Sequence, residues 1–304
     1  MADIIDGREY ARKKREEAAH RTAALKEKGI TPCLGLILVG EEPAGISYVA
    51  AKEKALLEAG MESRDIRLSR DVSEEEILTH VVRLNRDPRI HGILVQLPLP
   101  NHIREDRIIA AIDPNKDVDG FHPVSVGNLV LGKPGFLPCT PHGVLVLLEE
   151  IKIPVAGAHV VIVGRSNIVG KPLAQLFVRR EINATVTICH TGTGDLRRHT
   201  CQADILVAAA GKAGLITADM VKEGAVVIDV GVNRISANNT KKGYRLTGDV
   251  DFDAVAAKAS YITPVPGGVG PMTVAMLLLN VVSAAAQFAD ANCLGVSTSR
   301  NSNN

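Results

Sequence analysis

Short, unbroken apolar runs alternate along the chain with amphipathic stretches. This alternation predicts a mostly parallel sheet with helices on both faces. Several of the runs end at glycine or proline, as buried strands do. The predicted strands are Cys33–Val39, Asp65–Ser69, Ile90–Leu97, Val160–Val163, Thr185–Cys189, Ile205–Ala209 and Val226–Val230. The predicted helices are 7–28, Pro43–Glu58, Glu74–Asn85, Glu105–Ile112, Thr140–Ile151, one that Pro172 opens, and Pro271–Gln287.

Two of the predicted helices begin with a capping signal. Ser73 followed by Glu76 forms a capping box. Thr140 followed by Pro141 places a capping hydroxyl before a proline in the first helical turn. We expect the helix after Thr140 to connect two domains.

The alternation extends over 304 residues, which is long for a single core. The fold class is therefore α/β with two α/β domains, and the second domain carries the strand pattern of a doubly wound sheet. The last helix is too apolar for a free surface, so we expect it to pack on the first domain. The predicted domains are 1–145 with 272–295, then 146–271, followed by a disordered polar tail at 296–304.

The turn from Gly164 to Gly170 follows a buried strand and precedes a helix, which is the arrangement that binds phosphate groups at a helix N-terminus. The dinucleotide fingerprint G-x-G-x-x-G is incomplete, because Ser166 stands where its second glycine belongs. An ordinary βα turn explains this stretch equally well. The next strand ends in His190 and Thr191 without a carboxylate, and Arg165 lies in the turn. A cation and hydroxyls in place of an acid favour NADP over NAD.

Composition narrows the classes of partner. With 35 basic and 34 acidic residues, a formal charge of +1 and no tryptophan, the chain is not predicted to bind nucleic acid or an anionic membrane. Five cysteines without a C-x-x-C pair favour buried free thiols in a reducing compartment. The N-terminus lacks the apolar segment of a secretory signal, and no uninterrupted apolar run reaches ~18 residues. We expect a cytoplasmic protein without a metal site.

Several polar residues stand where an α/β protein binds ligands, and each also has a plain structural explanation. Tyr48 and Lys52 share one helix face, either as a solvated pair or as an acid/base group whose pKa falls beside apolar surface. Gln96 interrupts the end of an apolar strand, where a buried amide must bond to protein or ligand. Asp117 and Asp119 suit an Asx turn or a ligand contact. The prolines and glycines of 264–271 form either a linker or a close approach to a ligand, with a possible cis bond.

Seven strings occur in an order and spacing that resemble the bifunctional methylenetetrahydrofolate dehydrogenase/methenyltetrahydrofolate cyclohydrolase family. They are VGEEPAGISYVAAKEK, HGILVQLPLP, KDVDGFHP, PCTPHGV, VIVGRSNIVGKP, GDVDF and TPVPGGVGPMT, and the resemblance extends from about Ile5 to Gln287. It implies two α/β domains with a cleft between them, the second being a Rossmann-type NADP-binding domain. It also implies a final helix that returns to the first domain, tetrahydrofolate one-carbon derivatives as substrates, and a homodimer in one-carbon metabolism and purine biosynthesis.

The resemblance also assigns roles to residues. Lys52 would be the general acid/base of the cyclohydrolase step, with Tyr48 stacked along the folate. Gln96 would bond Lys52 and help to hold it neutral, and Asp119 would accept hydrogen bonds from the pterin. The implied cofactor-binding residues are Gly164, Arg165, Ser166, Ile168, Gly170, His190, Thr191, Ala210, Gly211 and Gly231. The implied substrate-binding residues are Tyr48, Lys52, Gln96, Leu97, Asp119, Pro264, Pro266, Gly267 and Gly268.

The chain departs from the family pattern at two positions. Gly45 stands where members commonly have serine, which removes a hydroxyl near Lys52 and puts the cyclohydrolase rate in question. Thr191 replaces a usual serine and keeps the hydroxyl. Three alternatives stay open: a monofunctional dehydrogenase, another two-domain NADP enzyme such as a shikimate-type dehydrogenase, and a silent folate- or nucleotide-binding module. Lys52 and Arg165 argue against the first, the PGGVGP string against the second, and the intact set of polar residues against the third.

Overall fold

A computed structural model describes residues 1–237 and 243–299, with side chains except at 43–44 and 291–299. The strands are β1 (Asp3–Ile4), β2 (Cys33–Val39), β3 (Glu62–Leu68), β4 (Gly92–Val95), β5 (His159–Val163), β6 (Thr185–Cys189), β7 (Ile205–Ala208), β8 (Val226–Asp229), β9 (Asn233–Ser236), β10 (Tyr244–Thr247) and β11 (Tyr261–Ile262). The helices are α1 (Gly7–Glu27), α2 (Pro43–Glu58), α3 (Glu74–Arg86), α4 (Glu105–Ala110), α5 (Pro123–Val130), α6 (Cys139–Glu150), α7 (Gly170–Phe177), α8 (Leu196–Thr200), α9 (Phe252–Ala256) and α10 (Val269–Ser299), with a 3₁₀ turn at Ala218–Met220.

The chain divides into two compact units, and each takes segments from distant parts of the sequence. The six-stranded unit consists of Met1–Arg12, Leu129–Pro134 and Pro138–Thr273. The three-stranded unit consists of Lys13–Asn128, Gly135–Leu137 and the chain from Val274 onward. The sequence placed residues 1–12 in the first domain, but β1 pairs with β11 and so belongs to the six-stranded sheet.

The sheet of the six-stranded unit has the order β1-β11-β8-β7-β5-β6, and its strands are parallel. Strand β6 lies beside β5 on one side, and the next strand in sequence, β7, lies beside β5 on the other side. Strand order therefore reverses between β5 and β7. In doubly wound sheets ligands bind at such a switch point, beyond the carboxyl ends of the strands. This confirms the predicted fold class and places the Gly164 turn directly at the switch point.

The three-stranded unit contains the parallel sheet β3-β2-β4. Both β2 and β4 are buried along their whole length, as their unbroken apolar sequences predict. Helix α3 covers this sheet with Ile77, Val81 and Leu84. It starts as predicted, with Ser73 Oγ accepting a hydrogen bond from the Glu76 backbone N–H at 3.2 Å.

Helix α10 extends beyond its predicted end and packs within the three-stranded unit, as expected. Its buried Asn280 donates to the carbonyl oxygens of Val118 at 2.8 Å and Leu137 at 3.0 Å. The segment Val269–Asp290, with mean hydropathy 1.8, is long and apolar enough to cross a membrane by length and composition, but 67% of it is buried within the protein. The sequence predicts a disordered tail from 296, but residues 296–299 continue α10, so the prediction is wrong for these four residues. Residues 300–304 lie outside the described residues.

The predicted cap at Thr140 is wrong. Helix α6 begins at Cys139 after Pro138, and Thr140 Oγ1 instead lies 2.9 Å from Thr273 Oγ1. A distant hydroxyl has replaced the local capping contact. Helix α5 was not predicted, because Gly127 interrupts its short apolar pattern.

Candidate active site

Lys52 lies on α2 one turn after Tyr48, and its ammonium group is withdrawn from solvent. The residue is only 5% exposed, and Nζ lies 3.0 Å from Gln96 Oε1 and 4.8 Å from the centroid of the Tyr48 ring. The i, i+4 spacing brings tyrosine and lysine to one face, as the sequence predicts. The contact with Gln96, which follows β4, joins two elements that are far apart in the chain.

Gln96 holds a fixed orientation. Its Nε2 donates to the Leu97 carbonyl oxygen at 2.8 Å, so Oε1 is the atom presented to Lys52. An amide oxygen accepts a hydrogen bond from an amine in either protonation state, so this contact orients Nζ without itself favouring the neutral form. Burial disfavours the charged form, whereas the face of the tyrosine ring favours it.

The two aspartates of the KDVDG segment have different surroundings. Both oxygens of Asp117 are engaged by backbone N–H groups, from Phe121 at 3.2 Å and His122 at 2.8 Å. Asp117 therefore has the structural role of the turn interpretation. Asp119 is half-buried and lines a small pocket together with Leu97. The other lining residues are Ile93, Val95, Ile109, Ile112, Asp117 and Phe121.

Two residues that were not singled out from the sequence hold this segment. The buried Lys116 donates from Nζ to three backbone carbonyl oxygens near the end of α3, and burial lowers the pKa of its ammonium group. Asn280 fixes the carbonyl of Val118, the residue before Asp119. A lone asparagine inside the apolar run of α10 was the sequence signal for this second contact.

The Gly164 turn requires residues without side chains. A Cβ on Gly164, whose φ is 137°, would lie 2.1 Å from the Ala209 carbonyl oxygen, and one on Gly170 would lie 2.1 Å from the Gly164 carbonyl oxygen. These glycines let the turn approach β7 and α7 closely, as in dinucleotide-binding turns. Ser166 Oγ accepts from the backbone N–H groups of Val169 at 3.1 Å and Gly170 at 3.4 Å. These two amides are thus already satisfied, while the Ser166 hydroxyl can still donate.

The rim of this turn has the chemistry that a 2′-phosphate needs. Arg165 is exposed and makes no hydrogen bond or ion pair to any residue that the structure describes. His190 Nδ1 accepts from the Gly192 N–H at 3.0 Å, so the neutral ring carries its proton on Nε2. Thr191 is exposed and Ile168 partly so. Strand β6 ends at Cys189 without an acid, and the residues present therefore fit NADP.

The carboxyl ends of β7 and β8 carry Ala210, Gly211 and Gly231, the remaining implied cofactor residues. The backbone N–H groups of Ala210 and Gly211 donate to the buried carboxylate of Asp249 at 2.6 and 2.8 Å. The Gly231 N–H donates to Asp229 at 3.0 Å. The sequence identified the GDVDF string but assigned no function to Asp249.

The implied substrate residues Pro264, Pro266, Gly267 and Gly268 form one loop before α10. The Val265–Pro266 bond is cis, and the Gly268 N–H donates to the Pro264 carbonyl at 2.8 Å. This loop belongs to the six-stranded unit, whereas Tyr48, Lys52, Gln96, Leu97 and Asp119 belong to the three-stranded unit. Within the described residues no cluster of three or more His, Cys, Asp or Glu side chains could hold a metal ion.

Comparison with known proteins gives matches over almost the whole chain. Residues 5–119 match the tetrahydrofolate dehydrogenase/cyclohydrolase catalytic domain, and residues 138–289 match the NAD(P)-binding domain of the same family. The chain is 57% identical to the bifunctional protein FolD of Geobacillus thermodenitrificans over 288 residues, covering 95% of this chain and 99% of that protein.

Solved structures agree with these sequence matches. The bifunctional FolD methylenetetrahydrofolate dehydrogenase/cyclohydrolase of Campylobacter jejuni is 49% identical with a TM-score of 0.89, covering 94% of this chain and 99% of that one. The Trypanosoma brucei enzyme, solved with NADP cofactor and inhibitor, is 39% identical with a TM-score of 0.90, covering 94% and 98%. The chain belongs to the tetrahydrofolate dehydrogenase/cyclohydrolase family.

Proposed function

We propose that this protein oxidises 5,10-methylenetetrahydrofolate to 5,10-methenyltetrahydrofolate with NADP and then hydrolyses the product to 10-formyltetrahydrofolate. The observation that carries the proposal is the buried amine of Lys52, whose Nζ hydrogen-bonds Gln96 Oε1. The six-stranded sheet of the same chain supports it, because the Gly164 turn lies at the switch point and the neighbouring strand ends without a carboxylate. A dehydrogenase that lacked the second activity would have no need for this buried amine.

The oxidation needs positioning more than proton transfer. NADP, when bound, accepts the hydride, and the two nitrogens beside the methylene carbon stabilise the resulting cation. The side chains therefore bind and orient the substrate. Asp119 would accept hydrogen bonds from the pterin amino end, and Tyr48 would lie along the ring system. The family resemblance also assigns the backbone of Pro264–Gly268, in the six-stranded unit, to substrate binding.

The hydrolysis needs proton transfer, because water adds to the methenyl carbon and a carbon–nitrogen bond then opens. Lys52 is the group that moves these protons. The hydrogen bond to Gln96 Oε1 uses one N–H of Lys52 and restricts where the remaining hydrogens and the lone pair point. Gln96 is in turn held by the Leu97 carbonyl, so the amine is positioned before substrate arrives.

The residues of the switch point would hold NADP. Arg165, Ser166 and Thr191 would bind the 2′-phosphate, with His190 and Ile168 beside them. Gly164 and Gly170 leave room for the pyrophosphate, while Ala210, Gly211 and Gly231 supply backbone at the ends of β7 and β8.

The test follows the two products separately. Purified protein is mixed with methylenetetrahydrofolate and either NADP or NAD, and absorbance reports reduced cofactor and methenyltetrahydrofolate independently. We expect reduction with NADP and subsequent decay of the methenyl signal. Absence of reduction with both cofactors would refute the proposed oxidation.

The variant Lys52→Met separates the two activities. We expect hydrolysis to be lost while NADP reduction persists, because only hydrolysis uses the amine for proton transfer. Lys54→Met on the same helix is the matched control, since that side chain is 77% exposed. Equal survival of both activities in Lys52→Met would remove Lys52 from its proposed function.

We also propose that the protein is a cytoplasmic homodimer with no membrane or nucleic-acid partner. The buried free thiols Cys33 and Cys189 suit a reducing compartment. The burial of most of the apolar segment of α10 argues against a membrane partner. Light scattering of the purified protein tests the dimer, and fractionation of the source cells tests the location.

A further inference from the structure

Asp249 lies fully buried between β10 and α9, and its carboxylate accepts only N–H hydrogen bonds. Oδ2 accepts from the backbone of Ala210 at 2.6 Å and of Gly211 at 2.8 Å. Oδ1 accepts from Asn233 Nδ2 at 2.8 Å. Hydrogen bonds to an ionised carboxylate are stronger than those between neutral groups. This side chain therefore fixes the second and third residues after the end of β7.

The same residue also holds the far end of that loop. The Ile216 backbone N–H donates to the Asp249 carbonyl oxygen at 2.9 Å. The connection from Ala210 to Ile216 is thus held at both ends by Asp249, by its side chain at one end and its backbone at the other. This connection leaves β7 directly at the switch point, where a dinucleotide binds in sheets of this topology.

A second carboxylate supports the first. Asp229, at the end of β8, accepts hydrogen bonds from the backbone N–H groups of Asp249 at 2.9 Å and Val250 at 3.0 Å. The packing leaves no room for a side chain, because a Cβ on Gly231 would lie 2.1 Å from Asp249 Oδ1. Gly231 is therefore required for the close approach of Asp249, in addition to any contact with cofactor.

We propose that Asp249 is a positioning residue for NADP, which acts by fixing the backbone of Ala210 and Gly211 at the switch point. The proposal rests on the dehydrogenase function proposed above. Asp249 does not touch the cofactor itself, since its oxygens are occupied by protein N–H groups. Its removal should therefore weaken cofactor binding and leave the chemistry of Lys52 unaffected.

Asp249→Asn tests this inference, because asparagine keeps the shape but offers one acceptor oxygen and no charge. We expect the Kd for NADP, measured by titration calorimetry, to rise roughly tenfold, which corresponds to the loss of one charge-assisted hydrogen bond. The KM for NADP should rise by a similar factor with kcat changed much less, and hydrolysis of added methenyltetrahydrofolate should stay at the wild-type rate. A purely structural residue would lower both activities together.

Asp253→Asn is the matched control, because it makes the same charge change at an exposed position on α9. It should leave the Kd for NADP unchanged. If Asp249→Asn does not fold, Asn233→Ala removes the donor to Oδ1 and should raise the Kd about threefold. The inference would be overturned if Asp249→Asn folds and binds NADP with the wild-type Kd. It would also be overturned if the variants lose hydrolysis in parallel with NADP binding. Failure of the wild-type protein to bind NADP would instead refute the proposed function.

Discussion

Lys116 offers the sharpest test of how the segment that carries Asp119 is held, through the substitution Lys116→Met. The side chain is 1% exposed, and its ammonium group donates to the carbonyl oxygens of Leu84 at 3.2 Å, Asn85 at 2.8 Å and Asp87 at 2.9 Å. The first two carbonyls belong to the last turn of α3, where helical partners are missing. Methionine has a similar length but donates no hydrogen bond.

The expected loss of stability follows from these contacts. Three hydrogen bonds from a charged donor are worth roughly 1.5 kcal/mol each, or about 4.5 kcal/mol together. Removing the buried charge offsets part of this loss of stability, because burial disfavours the ammonium form and lowers the pKa of Lys116. We expect a net loss of about 3 kcal/mol. In a cooperative unit of this size that lowers Tm by roughly 6–12 °C.

Differential scanning calorimetry measures this change, because it separates transitions of different units. Lys54→Met is again the control, since its exposed side chain only forms an ion pair with Glu58 at 3.7 Å. An exposed pair of this kind should change the unfolding free energy by less than about 0.5 kcal/mol. A Tm for Lys116→Met within about 2 °C of the wild-type value would refute the assignment of Lys116 as the stabilising contact of this segment.

Two further predictions concern the Lys52 helix and the buried acids. A Cβ on Gly45 would meet Leu38 Cδ1 at 3.5 Å, which is an ordinary contact, so the Gly45→Ser variant should fold normally. It should raise the rate of methenyltetrahydrofolate hydrolysis roughly two- to tenfold, as one added hydrogen bond allows. An unchanged rate would contradict this prediction. Burial raises the pKa of Asp229 to about 6, although hydrogen bonds from the backbone N–H groups of Asp249 and Val250 partly oppose this rise. The folded protein therefore holds this proton more tightly than the unfolded chain does. The stability that the proton contributes is present below about pH 4 and falls by about 3 kcal/mol as the pH rises through 6. Urea unfolding measures the free energy of unfolding of the wild type and of Asp229→Asn at pH 5 and pH 7.5. Between these pH values the wild type should lose about half of this stability relative to the variant. The same difference between the two proteins at both pH values would contradict the assignment.

Local sequence patterns predicted most of the helices and strands. They failed where a contact with a residue far along the chain determines the local structure. The helix Pro43–Glu58 has its predicted bounds because its spacing and its opening proline are both local signals. Thr140 failed as a cap because its hydroxyl bonds Thr273, far along the chain.

The same distinction holds for the candidate site. The Tyr48–Lys52 pair follows from helical spacing alone, whereas the contact between Lys52 and Gln96 was expected only from the family resemblance. Asp249 carries no local signal, since the amides that it binds lie in a different βα connection. The sequence therefore indicated the residues that we propose for the chemistry, but it gave no signal for the buried polar groups around them, such as Lys116 and Asp249.

The interlaced course of the chain has a consequence for folding and for dissection. Helix α10 completes the three-stranded unit only after a segment of well over a hundred residues has intervened, and β1 joins its sheet from the opposite end of the chain. Joining such remote segments is entropically unfavourable and slows folding. A fragment that begins at Pro138 would also leave the β11 edge open to pairing with other molecules. The two compact units thus cannot be separated by a single cut without exposing unpaired backbone, and swaps between relatives need at least two matched junctions.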